Sequence, residues 1–205
     1  AVPWSIIAIT FTNKAAGELK ARLENLLGPS ANDIWASTFH SACVRILRRD
    51  IDRLGFSTSF TIYDTADSER VSKDIVKDLN LDDKTFSARS VRGYISRAKD
   101  AMQSGADFLA QKKMEEDFRL VKIAKIYVEY ERRLKDANAL DFDDIIFHTV
   151  TLLRQEPEVL DYYQHKFRYV LVDEYQDTNY LQYLLTSLLA GGHKNLCVVG
   201  DDDQS

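Results

Sequence analysis

Three times in the first 80 residues a short apolar run gives way to a helical pattern, and after residue 80 the strand-like runs stop for about 85 residues before resuming. That alternation is the strongest constraint on the fold. Consecutive parallel strands need a long crossover between them, and an amphipathic helix supplies it, so β-α-β-α-β-α predicts a parallel sheet covered by helices. The predicted strands are residues 5–11, 34–39, 60–63, 169–172 and 195–199. Between the early strands the periodicity predicts helices at 14–27, with Asn13 as its cap, at 41–54, and at 71–79, capped by Asp64 or Thr65. The strand-poor stretch predicts helices at 90–102, 115–134, 142–154 and 157–165, and Phe118, Val121, Ala124 and Val128 form one stripe of the longest, with Tyr127, Tyr130 and Leu134 beside it. A last helix covers 180–189, with Asp177 or Thr178 as its cap. The expected fold class is α/β: a parallel sheet interrupted by an all-helical insertion. Its boundaries are 1–80 for the first part of the sheet domain, 81–166 for the insertion and 167–205 for the second part.

Composition removes several classes of function. With 45% hydrophobic residues and a net charge of −5 over 205 residues, the chain has the material for a packed core and is not disordered. It is also not a wholly basic nucleic-acid binder, although residues 1–60 carry 7 basic against 5 acidic side chains. Two cysteines 154 positions apart make no disulfide framework and no zinc spacing, which reads as a reduced, cytoplasmic protein. No apolar run reaches the roughly 20 residues that span a bilayer. The start lacks a Met and the end falls within GDDDQS, so the expectation is a piece cut from a longer chain.

Acid is concentrated where two predicted strands end. In VLVDEYQD, residues 170–177, a dry strand finishes in the adjacent carboxylates Asp173 and Glu174. Ligands of open α/β sheets bind beyond the carboxyl ends of the strands. There one carboxylate can hold Mg²⁺ and the next can orient or deprotonate a water. The structural alternative is a solvated turn that caps the next helix. In VVGDDDQS, residues 198–205, consecutive side chains diverge, so Asp201, Asp202 and Asp203 cannot all face one ion, and a solvated helix start is the simpler reading. TFTNKAA at 10–16 and STFHS at 37–41 place hydroxyls and an aromatic where a strand meets a helix N-terminus. Such a terminus suits a phosphate oxygen and such an aromatic can stack on an unpaired base. Against this, Phe11 and Phe39 read equally as core and His40 as a hydrogen-bonded structural histidine.

Taken in order, ITFTNKAA, STFHS, FTIYD, ALDFDDII, VDEYQDTN and VVGDDDQS resemble the UvrD/PcrA/Rep group of superfamily 1 DNA helicases over nearly the whole chain. The resemblance implies a RecA-like subdomain 1A interrupted by a helical subdomain 1B, in an ATP-dependent 3′–5′ helicase acting on single-stranded DNA and on junctions between single and double strands. ATP and Mg²⁺ are the implied cofactors. By the same resemblance Asp173 holds Mg²⁺ with the nucleotide, Glu174 activates water, and Gln204 senses the γ-phosphate and couples it to DNA. Phe11, Thr12, Asn13, Thr38, His40 and Ser41 line the strand path. Asp141, Phe142, Asp143 and Asp144 match a family block to which no chemistry is assigned. No G-x-x-x-x-G-K-[ST] string occurs in the chain, and the second RecA-like domain is absent from it. An inactive isolated chain with an exposed sheet edge is therefore expected. Two further readings stay open: a DNA-binding module that kept the fold without the motor, and a Mg²⁺-dependent phosphohydrolase working through the strand-end acids alone. No oligomeric state follows from the sequence.

Overall fold

The structure, a computed structural model, describes residues 1–201. The chain begins with β1 (Ile6–Thr10) and α1 (Asn13–Leu27), whose N-cap is Thr12 rather than Asn13. Next come β2 (Trp35–Thr38) and α2 (Phe39–Asp50), capped by Thr38. A two-residue β3 (Thr61–Ile62) leads into α3 (Thr65–Asp78), where Asp64 and Asp67 form a capping box. The helical stretch holds α4 (Ala88–Asp100), α5 (Gly105–Met114) and α6 (Phe118–Asp136). A short β4 (Ala139–Leu140), α7 (Phe142–Gln155) and α8 (Pro157–Lys166) follow. The chain returns to strand with β5 (Tyr169–Val172), α9 (Tyr180–Ala190) and β6 (Leu196–Val198).

Four strands make one all-parallel sheet in the order β2-β1-β5-β6. Ile9 sits opposite both Ser37 and Val172, and Val172 opposite Val198, so the carboxyl ends of all four strands meet one edge. β1 is buried over Ile7–Thr10, as a central strand covered on both faces must be. β6 is exposed along its length, and Tyr169 and Leu171 of β5 also face out, so this side of the sheet ends in an uncovered edge.

The chain divides into two compact units, Ala1–Leu54 with His148–Ser205, and Gly55–Phe147. The divisions fall at 54/55 and 147/148, away from the 80/81 and 166/167 boundaries the sequence suggests. β3 explains the first difference. It pairs in parallel with β4, Thr61 opposite Ala139 and Ile62 opposite Leu140, and so belongs to the second unit and not to the four-stranded sheet. A two-residue strand has no length over which periodicity could have indicated its partner.

In the second unit Ile75, Val91, Ile95, Ile123, Ala124, Ile126, Tyr127 and Tyr130 pack into one core. The helix expected over 115–134 is α6, which starts three residues later, and α5 ahead of it is a helix the periodicity did not indicate. Glu116 takes a left-handed φ of 56° and Asp117 caps α6 through the Leu120 N–H. The buried face of α6 keeps Ala124 of the expected stripe but lies to one side of it. Phe118 is 81% exposed and Val128 is exposed, while Ile123, Ala124, Ile126, Tyr127, Tyr130 and Leu134 face the core. The last helix is capped by Asn179, in a capping box with Gln182, instead of Asp177 or Thr178.

Candidate functional site

The site is built from loops that leave the strand ends. After β1, Phe11 is half-buried and Thr12 and Asn13 are exposed. The Thr12 hydroxyl oxygen accepts the Ala15 N–H at 3.1 Å, which closes one of the unpaired donors of α1. After β2, Thr38 Oγ1 accepts the Ser41 N–H at 3.2 Å and donates to Ser41 Oγ at 3.0 Å. Two of the hydroxyls expected on a strand path therefore already hold helix N-termini. Phe39 is buried, and its ring lies 5.2 Å from that of Phe11, tilted by 59°. The pair places the Phe11 ring on a fixed support with part of it in solvent. His40 and Ser41 lie in the first turn of α2, half-buried and exposed respectively.

The acids sit between these loops and β6. The Asp173 N–H donates to the Ile9 carbonyl at 3.0 Å, so Asp173 still continues the sheet, and the chain then breaks away. Glu174 takes φ 53° and ψ 46°, a left-handed conformation that costs a side chain of this length energy and recurs at functional turns. Its N–H donates to Asp173 Oδ1 at 2.9 Å. A short 3-10 turn, Tyr175–Asp177, follows. It is tied to the neighbouring strand end by the Tyr175 N–H on the Val199 carbonyl (2.9 Å) and by the Asp201 N–H on Gln176 Oε1 (3.1 Å). The same Gln176 oxygen would stand 2.9 Å from a Cβ at Gly200, so a side chain there would displace the Gln176 amide from its bond to the second loop. Gln176 is the residue that reading the motif did not single out, because only the pairing of β5 with β6 brings its amide to the second loop. Gln204 lies outside the described residues.

The donor set fits a magnesium ion held with a nucleotide. Mg²⁺ takes one or two carboxylates and fills its remaining positions with waters and phosphate oxygens. Asp173 has one oxygen committed to the Glu174 N–H and the other available. Among the described residues no group of three or more His, Cys, Asp or Glu side chains is placed to hold an ion by itself. Nor is any described helix long and apolar enough to cross a membrane. Cys43 is buried in the sheet unit, where desolvation pushes its thiol up to about 12, against the weaker pull of a Thr149 hydrogen bond. Cys197 is exposed on β6.

The block at 139–146 has a different character. Lys99, 1% exposed, reaches Asp141 Oδ2 and Asp144 Oδ1, both at 2.8 Å. Asp141 and Asp144 also cap each other: the Asp144 N–H donates to Asp141 Oδ1 at 2.8 Å and the Asp141 N–H to Asp144 Oδ2 at 3.0 Å. The Tyr130 hydroxyl donates to Asp141 at 2.7 Å. Burial and the neighbouring Asp141 charge push Asp144 up to about 7. Lys99 and the hydrogen bonds, outweighing burial, hold Asp141 below the usual carboxylate range. Every polar atom that converges there has a partner within the cluster, so its geometry serves to join α4, α6 and the start of α7.

A parallel sheet whose acidic and hydroxyl-bearing loops gather beyond one edge, with a helical unit inserted between its strands, is a RecA-like α/β domain of the helicase type. Over residues 1–205 the chain matches the UvrD/REP helicase N-terminal domain, and it belongs to that family. It is 53% identical over 203 residues to the ATP-dependent DNA helicase PcrA of Bacillus subtilis (strain 168) and 54% identical to that of Staphylococcus epidermidis (strain ATCC 12228). Identity to the Staphylococcus aureus (strain NCTC 8325) protein of the same name is 53%. In each case the match covers 99% of this chain and 27% of the relative.

Proposed function

We propose that this chain is the part of an ATP-dependent 3′–5′ DNA helicase that joins the nucleotide-hydrolysing acids to a single-strand path. The observation that supports this reading most is the convergence of the Phe11, Thr38–Ser41 and Asp173–Glu174 loops on one edge of a single parallel sheet. In this reading Asp173 binds the metal that accompanies ATP, and Glu174 takes the proton of the attacking water. Gln204 reports the state of the nucleotide. The strained turn at Glu174 and the Gln176 tie to Asp201 fix the two acidic loops relative to each other, so that a change at one is felt at the other. Phe11, supported by Phe39, offers a face to an unpaired base, and the helix starts at Asn13 and Ser41 offer N–H groups to phosphates. Single-stranded DNA, and junctions of it with duplex, are the proposed substrates.

The 205 residues contain no phosphate-cradling G-x-x-x-x-G-K-[ST] string, and no turnover is expected of the isolated chain. It binds single strands weakly, at about 1 µM or weaker at low salt, because the charge of −5 opposes the polyanion. The deciding experiment puts residues 1–205 in place of the matching segment of the Bacillus subtilis relative and measures single-strand-stimulated ATP hydrolysis. Retained hydrolysis that is lost on Glu174→Gln is the expected result. A correctly folded chimaera that hydrolyses ATP equally well with Glu174→Gln would remove the assigned role.

A further inference from the structure

The sheet unit has a second polar surface, at the amino ends of the strands, which the strand-end reading does not use. β2 starts at Trp35, and α2 runs back from its other end, so the later residues of α2 return to the level of Trp35. The Arg45 guanidinium lies 3.6 Å over the Trp35 ring, and the Lys166 ammonium is 5.5 Å from the same ring. One helical turn along, the Arg49 guanidinium lies 3.6 Å over Tyr162. Trp35 is held from behind by Phe167, at 4.7 Å, and by Tyr163, at 6.4 Å.

Charge pairing separates this cluster from an ordinary salt-bridged surface. The neighbouring acids are already engaged: Asp50 with Arg49, Glu156 and Glu158 with Arg53, and Asp161 with His165. Among the described residues Arg45 and Lys166 have no carboxylate within ion-pair distance. The side chain of Arg49 remains 47% exposed beyond its pair. A guanidinium flat on an aromatic ring has one face and all its N–H edges turned to solvent, preset to take a phosphate in two hydrogen bonds or a base on its open plane.

We infer that Arg45, stacked on Trp35, together with Lys166 and Arg49 forms a second contact surface for a nucleic-acid strand, on the opposite edge of the sheet from the acidic loops. Its ligand chemistry is the phosphodiester backbone, with a base stacking on the guanidinium. A nucleic acid fits better than an acidic peptide, because the surface offers guanidinium and ring planes beside paired N–H donors, which suit a base and a phosphate together. The inference rests on the reading that this chain works on DNA, and its readout is independent of the strand-end path.

Trp4 and Trp35 are the only tryptophans, and Trp4 is 60% exposed, so Trp4→Phe leaves Trp35 as a local reporter. In that background a thymidine oligonucleotide is titrated at low salt, and Trp35 emission and oligonucleotide anisotropy are followed together. Poly-glutamate is titrated separately. The expected result is a Trp35 emission change that tracks DNA binding, is reversed by salt, and is weakened roughly three- to tenfold by Arg45→Gln with the fold intact by circular dichroism. Saturable anisotropy with unchanged Trp35 emission would overturn the surface and leave the strand-end reading standing. An emission response to poly-glutamate but not to DNA would overturn it in favour of an acidic protein partner. Adding Phe11→Ala separates the two sites. If anisotropy falls while the Trp35 response persists, the strand-end role fails and this surface stands. No DNA binding in either readout overturns both.

Discussion

Asp141 and Asp144 are buried against the ammonium of Lys99, whereas Asp173 and Glu174 stand in solvent with no cation within ion-pair distance among the described residues. Both pairs follow an apolar strand and precede a helical turn. Their backbones differ as much as their surroundings. The buried pair is satisfied by a reciprocal cap, while Glu174 sits in a left-handed turn and Asp173 turns one oxygen back on the next N–H. Burying ionisable groups costs several kcal/mol for each that stays charged, and only the mutual attraction and complete hydrogen bonding offset that. An arrangement so closed has no capacity left for a ligand. The exposed pair makes few interactions that would be lost on substitution, and it keeps oxygens available. Where the acids are closed in, they join helices; where they are open and the backbone is strained, they can meet a ligand.

This contrast can be broken experimentally. Lys99→Ala leaves two carboxylates buried without a cation and should cost about 3–5 kcal/mol, read as a fall in the denaturant midpoint. A loss below about 1 kcal/mol would mean that water reaches the cluster and that the two acid pairs are alike.

Next in size is a pH effect. Asp144 is raised in the folded chain to about 7 from an ordinary value near 4, so the folded state holds a proton there that the unfolded state releases. Its stabilising contribution is present below about pH 4 and is lost as pH rises through about 7. Measured by chemical unfolding between pH 4 and 8, the native chain should lose stability relative to Asp144→Asn as pH rises. Parallel curves would mean that Asp144 titrates normally.

Smaller again is the cap at the strand-end site. Thr38→Ala removes the acceptor for the Ser41 N–H and should cost about 0.5–2 kcal/mol. It should also weaken single-strand binding through a frayed α2, so a loss of binding without loss of stability would make the hydroxyl a direct contact.

The smallest expected change in stability is at Glu174. Glu174→Gln should shift the unfolding free energy by less than about 0.5 kcal/mol, because the side chain is exposed. Glu174→Gly should be neutral or slightly stabilising, since glycine tolerates positive φ. A marked loss from Glu174→Gln would place that carboxylate among the structural acids.

The strand-end half of this comparison was legible in the sequence, and the buried half was not. VLVDEYQD is local: a dry run followed by acids places Asp173 and Glu174 at the end of a strand whatever the rest of the chain does. ALDFDD gives the same local signal, and what distinguishes it is Lys99, 42 residues earlier in an ordinary helical pattern. The start of α6 falls at Phe118 rather than Glu115, because Glu116 is left-handed and Asp117 caps the helix. The capping boxes at Ser104/Asp107 and Asn179/Gln182 were readable signals of helix starts and would have placed α5 and the α9 cap.

By itself the sequence determined the alternation of strands and crossover helices, the helical insertion, and the acids and hydroxyls at strand ends, because apolar periodicity and residue order act over a few neighbouring residues. Tertiary structure alone decided that β3 leaves the sheet to pair with β4. It also decided that Phe11 rests on Phe39, that Gln176 joins the two acidic loops, and that Lys99 closes one acid pair while the other stays open. These are pairings between segments far apart in the chain. They are selected by the burial and hydrogen-bond satisfaction of the whole fold, which no local pattern encodes.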